Sequence, residues 1–102
     1  MINLLGVVAR LTMDGKRYAL ITALGRDRPG LIAGLTTAVA EVGGNIEDLD
    51  EVVMRGVFVM NMLVSLEGST SLDELRSHVV KRGEELGLKV EVYDPQEQGW
   101  MQ

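Results

Sequence analysis

The chain has no cysteine, one histidine and few aromatic residues: one tryptophan, two tyrosines and one phenylalanine in 102 positions. Without cysteine there is no disulfide framework, no thiolate nucleophile and no zinc ribbon. His78, beside Ser77 and Val79, has no second histidine to share a metal with, so it reads as a surface or helix-edge side chain. Apolar runs are short. None approaches the roughly 18 to 20 uninterrupted residues of a membrane span. The apolar start, Met1 to Leu11, lacks a basic beginning and is broken by Arg10 before a signal-peptide core is complete. A soluble, cytoplasmic protein is expected. The formal charge of -5 repels phosphate backbones and anionic membranes, so neither nucleic acid nor membrane is an expected direct partner.

With 46% hydrophobic and 25% charged residues, the chain has the balance of one globular domain. Such a domain buries well over half of its unfolded surface and needs no metal or disulfide to fold, but its stability is modest and oligomerisation would help. Tyr18 to Leu24 is a β-prone apolar run. Leu31, Ile32, Leu35, Val39 and Val42 then recur at helical spacing, with Pro29 suited to the first turn and Gly43-Gly44 to the stop, which predicts a helix from about Pro29 to Val42. Asn45 to Met54 and Val57 to Leu66 read as a hairpin joined at Arg55-Gly56. In its second arm Phe58, Met60, Met62, Val64 and Leu66 form the core face. Val57, Val59 and Leu63, with Leu20 or Ile21, would leave the other face apolar and exposed, which predicts a subunit contact.

Ser71-Leu72-Asp73-Glu74 has the S-x-x-E form of a capping box and starts a second helix, with Leu72, Leu75, Val79 and Leu86 as its apolar stripe. Gly83 weakens its middle slightly and Gly87 closes it. Leu88, Val90 and Val92 alternate with polar neighbours as a last strand, ended by Asp94-Pro95. The residues from there to Gln102 read as loosely held. The order is an α+β, ferredoxin-like βαββαβ sandwich: a four-stranded antiparallel sheet with two helices on one face. The expected division is 1–17 as an N-terminal extension, 18–93 as the domain and 94–102 as a C-terminal tail.

The densest group of functional candidates is Gly25-Arg26-Asp27-Arg28-Pro29-Gly30-Leu31, where the first strand gives way to the first helix. Free amides at a helix N-terminus carry partial positive charge, and Gly30 lets a ligand approach the backbone, so a carboxylate could sit there. On residues alone a second reading stays open: Asp27 caps the helix, Pro29 sets its first dihedral and the glycines only turn the chain. Asn45 offers a donor and an acceptor to a zwitterion. It starts its strand at the far end of the first helix, so a neighbouring subunit's Asn45 is one way to complete a pocket. Alternatively it only shapes the Gly-Gly-Asn turn. Glu47, Asp48, Asp50 and Glu51 read as a solvated strand edge rather than a calcium site, and Met54, Met60 and Met62 as core filler.

Gly25-x-Asp27-x-Pro29-Gly30-Leu31, followed by Ile32-Ala33 and later Gly44-Asn45-Ile46, resembles the ACT domain family from Tyr18 to about Tyr93. The chain is similar to small single-domain ACT proteins and to the ACT units of the glycine cleavage system repressor and of some phosphoserine phosphatases. The resemblance implies a non-catalytic regulatory domain. Its copies would pair side by side, joining sheets as a dimer or tetramer, with a small amino acid bound at the interface near the first loop. Carried over residue by residue, the implied ligand-binding set is Asp27, Arg28, Pro29, Gly30, Leu31, Asn45 and Ile46, with backbone amides around Pro29 to Leu31 on the carboxylate and Asp27 on the ammonium. No cofactor, metal or catalytic residue is implied, and a separate protein partner would read the signal. The extension Met1 to Lys16 departs from the family pattern. Either Met13 is the start, or Ile2, Leu4, Leu5, Val7, Val8 and Leu11 form an extra element over a sheet or an oligomer interface.

Two rivals share the fold. An RNA-recognition motif needs exposed aromatics for stacking, and Phe58 has core parity. An acylphosphatase-like enzyme would want Arg26 or Arg28 in an anion loop with Asn61 on a water, but no phosphate-loop signature supports it. A ligand-free oligomerisation module is the remaining alternative.

Overall fold

A computed structural model describes residues 16–101. The extension's two readings fall almost wholly on residues 1–15, outside the described residues. The elements are β1 (Arg17–Arg26), α1 (Leu31–Glu41), β2 (Gly44–Met54), β3 (Val57–Leu66), α2 (Leu72–Glu85) and β4 (Leu88–Tyr93). The four strands form one antiparallel sheet in the order β2-β3-β1-β4, as expected of a ferredoxin-like βαββαβ chain.

Strand parity decides what is buried. Ala19, Ile21 and Ala23 of β1, all five predicted core residues of β3, and Leu88, Val90 and Val92 of β4 point at the helices and are buried. They meet Leu31, Leu35, Ala38 and Val39 of α1 and Leu72, Leu75 and Val79 of α2 in one core. Of the two first-strand candidates for the exposed face, Ile21 belongs to the core and Leu20 to the other face. Met60 and Met62 are wholly buried, whereas Met54 is exposed near the hairpin tip and fills no core. In β2 the register with β3 shifts between Ile46 and Asp48. The bulge fits a hydrogen bond that simple alternation does not suggest: buried Ser65 donates to Glu47 Oε2 at 2.6 Å. That bond, with Lys16 nearby, holds the Glu47 carboxyl below its ordinary pKa.

Helix ends follow local chemistry. Ser71 accepts from the Glu74 amide at 3.0 Å while the Glu74 carboxylate accepts from the Ser71 amide, a complete capping box. The hairpin turn places Arg55 at φ 50 and Gly56 at φ 84, the paired positive dihedrals of a type I′ turn, which matches the twist of the strands it joins.

Gly83 has a different role from the one its helix position suggests. It is buried where α2 crosses β4, and a Cβ there would lie 2.3 Å from Val90 Cγ2. The missing side chain lets helix and strand approach closely. Arg82 beside it spans to α1, donating to the Gly34 carbonyl at 3.0 Å and to Glu41 Oε1 at 2.7 Å. His78 Nε2 lies 2.8 Å from the same Glu41 oxygen, so the helix-edge histidine joins an α1–α2 clasp.

The tail is more ordered than its composition suggests. Asp94 accepts from the amides of Gln96 and Glu97, and Trp100 and Met101 donate to the Pro95 carbonyl. These backbone bonds, with Arg17 alongside, hold the Asp94 carboxyl below its usual range. The tail folds back until the Trp100 ring lies 5.7 Å from that of Tyr93.

Candidate functional site

The β1–α1 loop leaves the sheet where β1 and the β2–β3 turn end together. Arg26 pairs with Val57, and the Asp27 amide donates to the Gly56 carbonyl at 2.8 Å. Gly30, not Asp27, is the N-cap of α1, at φ 88, and no side chain caps the helix. Here the structure departs from the capping reading of Asp27. That residue spends its amide on the hairpin, and the chain still has to turn through Arg28, Pro29 and Gly30 before α1 begins. The first helical bond runs from the Gly34 amide to the Gly30 carbonyl at 2.9 Å. The amides before it, of Gly30 to Ala33, point out of the helix end. Pro29 has no N–H to offer, and it lies in the turn rather than within the helix.

The ledge is open: a Cβ on Gly30 would meet nothing within 4 Å. Asp27, Arg28, Pro29 and Gly30 are all exposed, and Leu31 turns into the core. Arg26, Arg28 and Arg55 gather around this end of the sheet in a chain of net charge -5. None of the three forms an ion pair among the described residues. Three cations beside unsatisfied amides make this end suited to an anionic group.

Asn45 and Ile46 are elsewhere. Asn45 pairs with Ser65 on β3, eight residues along from Val57, so at about 3.3 Å per residue it lies roughly 26 Å from the loop end. Both residues are exposed. Within one chain the expected set is therefore split into Asp27 to Leu31 and Asn45 with Ile46, at opposite ends of the sheet.

A cavity of about 390 Å³ lies at the Arg17 end, between β4, the start of α2 and the tail. Both of its arginines are engaged: Arg17 with Asp94 at 3.4 Å, and Arg76 with Asp73 at 2.9 Å and the Val92 carbonyl at 3.2 Å. It does not include the loop. Two features here were missed from the sequence, the arginine grouping and the Asp27–Gly56 bond. Arg55 sits almost thirty positions from Arg26, and only the strand register brings them together.

This fold and loop are those of a known class. The profile of the ACT domain matches residues 17–93. A UPF0237 protein of Methanopyrus kandleri is 47% identical over 73 residues, 71% of this chain and 81% of that protein. The structure of an ACT domain protein from Streptococcus pneumoniae superposes with a TM-score of 0.73 at 29% identity, covering 84% of this chain and 98% of that one. A candidate glycine cleavage system transcriptional repressor shares the fold, with a TM-score of 0.70 at 24% identity over 76% of this chain and 45% of its own. The chain belongs to the ACT domain family.

Proposed function

We propose that this protein is a non-catalytic regulatory domain that binds a small amino acid at the β1–α1 ledge, at an interface between subunits. The observation that carries the reading is the uncapped start of α1 behind Gly30, open to solvent and flanked by Arg26, Arg28 and Arg55. The amides of Gly30 and Leu31 hold the ligand carboxylate, and Asp27 takes the ammonium. An exposed ledge cannot enclose a ligand by itself. Asn45 and Ile46 of a neighbouring subunit complete the enclosure and contribute the donor and acceptor of the Asn side chain. Ligand binding across an interface then favours one subunit arrangement, and a partner protein reads the change. The setting is cytoplasmic.

A thermal-shift screen against the common amino acids tests this, because a ligand that binds only the folded state raises its apparent melting temperature. A selective shift that disappears in Gly30→Asp is the expected result. The new carboxylate would occupy the ledge, and Asp tolerates a positive φ better than most residues. Unchanged affinity in Gly30→Asp refutes the site. No shift from any amino acid, with a stable oligomer, would favour the assembly module instead.

A further inference from the structure

The single tryptophan of the chain stands at the corner of the sheet where β4 runs into the tail. Tyr93, the last residue of β4, pairs with Leu20 and points away from the helices, since Val92 before it is buried on their side. The Trp100 ring lies 5.7 Å from the Tyr93 ring at an interplanar angle of 53°. The planes are tilted rather than stacked, and the indole is 59% exposed, so it keeps an open face. Its backbone is nevertheless fixed. The Trp100 and Met101 amides donate to the Pro95 carbonyl at 2.9 and 3.1 Å, and the turn is tied to β1 by Arg17 on Asp94 and by the Tyr18 amide on Gln96 Oε1. The fold thus presents a large side chain from a braced turn without covering it.

The third member of the corner is a carboxylate. Glu91 precedes Tyr93 by two residues on the same face and accepts from the Tyr93 hydroxyl at 3.1 Å. That bond raises the Tyr93 pKa above its ordinary value, so the ring remains a neutral phenol. Glu91 is exposed and forms no ion pair among the described residues. Lys89, the cation on the same face of β4, lies about 13 Å from Tyr93 along the strand. That is beyond a Debye length at physiological ionic strength, roughly 8 Å, so its repulsion reaches the aromatic pair only weakly.

We infer that this corner docks an arginine side chain carried on an exposed segment of a partner protein. A guanidinium over the open face of Trp100 is held by the ring quadrupole, and its N–H fork is directed at Glu91, the acid left unpaired. Leu20 and Leu63, partly buried in the row that Tyr93 begins, line a path for the aliphatic stem. An apolar group here would strip water from Glu91 and give it no partner, a cost that a cation avoids. Arginine fits better than lysine because its planar, weakly hydrated head stacks on an aromatic face and meets a carboxylate with two donors. An open corner cannot enclose a free small cation, so the rest of the contact has to come from the chain that carries the arginine. The net charge of -5 steers a basic segment toward this protein, and tryptophan, tyrosine and arginine are the side chains most enriched at the energetic centres of protein contacts.

The probe is the peptide Gly-Arg-Gly-Arg-Gly, acetylated and amidated at its ends and added to the whole chain. It has neither the free ammonium nor the free carboxylate that the β1–α1 ledge is proposed to hold, so its result is independent of that site. Because Trp100 is the only tryptophan, intrinsic fluorescence reads the corner directly. The peptide should change that emission saturably, and the matching lysine peptide should bind roughly two- to five-fold more weakly. Glu91→Gln, a surface change that keeps a partner for the Tyr93 hydroxyl, should weaken the arginine peptide by a similar factor. Trp100→Leu, followed through the anisotropy of a labelled peptide, should abolish saturable binding. Unchanged Trp100 emission, or a lysine peptide that binds as well as the arginine one, would overturn the inference. So would binding that survives both Glu91→Gln and Trp100→Leu, which would belong to the acids of β2, and so would a wild-type indole already shielded from acrylamide quenching by another subunit. If Trp100→Leu fails to fold, Glu91→Gln and the lysine peptide still decide.

Discussion

Replacing Gly83 with alanine separates two effects of opposite sign. In an exposed helix interior the change stabilises by about 1 kcal/mol, because alanine restricts the unfolded chain and favours the helix. At position 83 the added Cβ would lie 2.3 Å from Val90 Cγ2, 3.0 Å from Val90 Cβ and 3.5 Å from the Leu88 carbonyl oxygen. The first two contacts are with a β-branched strand residue whose side chain has little freedom to turn aside. Overpacking of this kind costs about 1–3 kcal/mol, and the short first contact argues for the upper half of that range. Subtracting the helix gain leaves a net loss of about 1–2 kcal/mol, or a fall in Tm of roughly 4–12 °C for a domain of this size. Urea titration followed by circular dichroism, at one fixed protein concentration, measures it. Val90→Ala alone should also destabilise, through the cavity it leaves. The double variant Gly83→Ala/Val90→Ala should lose less than the two single losses added together, because alanine at 90 makes the room that alanine at 83 needs. A Gly83→Ala protein more stable than wild type, or strict additivity in the double variant, would refute the close approach of α2 to β4.

Ser71→Ala removes the acceptor for the Glu74 amide and should destabilise the protein by about 1 kcal/mol, whereas Ser71→Asp should retain most of the wild-type Tm. Glu41 is held below its ordinary carboxylate pKa, first by its hydrogen bond with His78 and then by that with Arg82. A folded-state pKa depressed in this way contributes stability above the unfolded value, close to 4.5, that is lost as pH falls through the folded value. The Tm difference between wild type and Glu41→Gln should therefore be present at pH 6, shrink as pH drops past 4.5 and close in stronger acid. A difference that stays constant with pH would show that the clasp does not depend on this carboxylate's charge.

What could be read from the sequence was local. The capping box at Ser71 acts within three residues, the alternation of β3 is set by a two-residue period, and Gly87 at φ 76 ends α2 within one turn. The element order follows from such signals together with the chirality and length of the connections. What could not be read depends on a partner distant in the chain. Gly83 has the appearance of a weak helix position until Val90 is known to lie against it. The tail was legible only as a strand end followed by polar residues, because the bonds that order it lead to Asp94, Pro95, Arg17 and Tyr18. The loop Asp27 to Gly30 stood out by composition, yet the cations that gather there come from two turns that only the register brings together. Asn45 shows the reverse case: nearness in a motif says nothing about distance along an eleven-residue strand.

The bond from the Asp27 amide to the Gly56 carbonyl joins the loop to the tip of the hairpin. With an acceptor only 2.8 Å away, the loop cannot move by more than a fraction of an ångström without breaking that bond or drawing the turn along with it. The hairpin is stiff, since β2 and β3 pair along almost their whole length. The joint thus makes the loop part of the sheet's end: β3 is also paired with β1 as far as Val57, so a displacement at Gly30 strains the turn at Gly56 and is carried into the paired strands behind it.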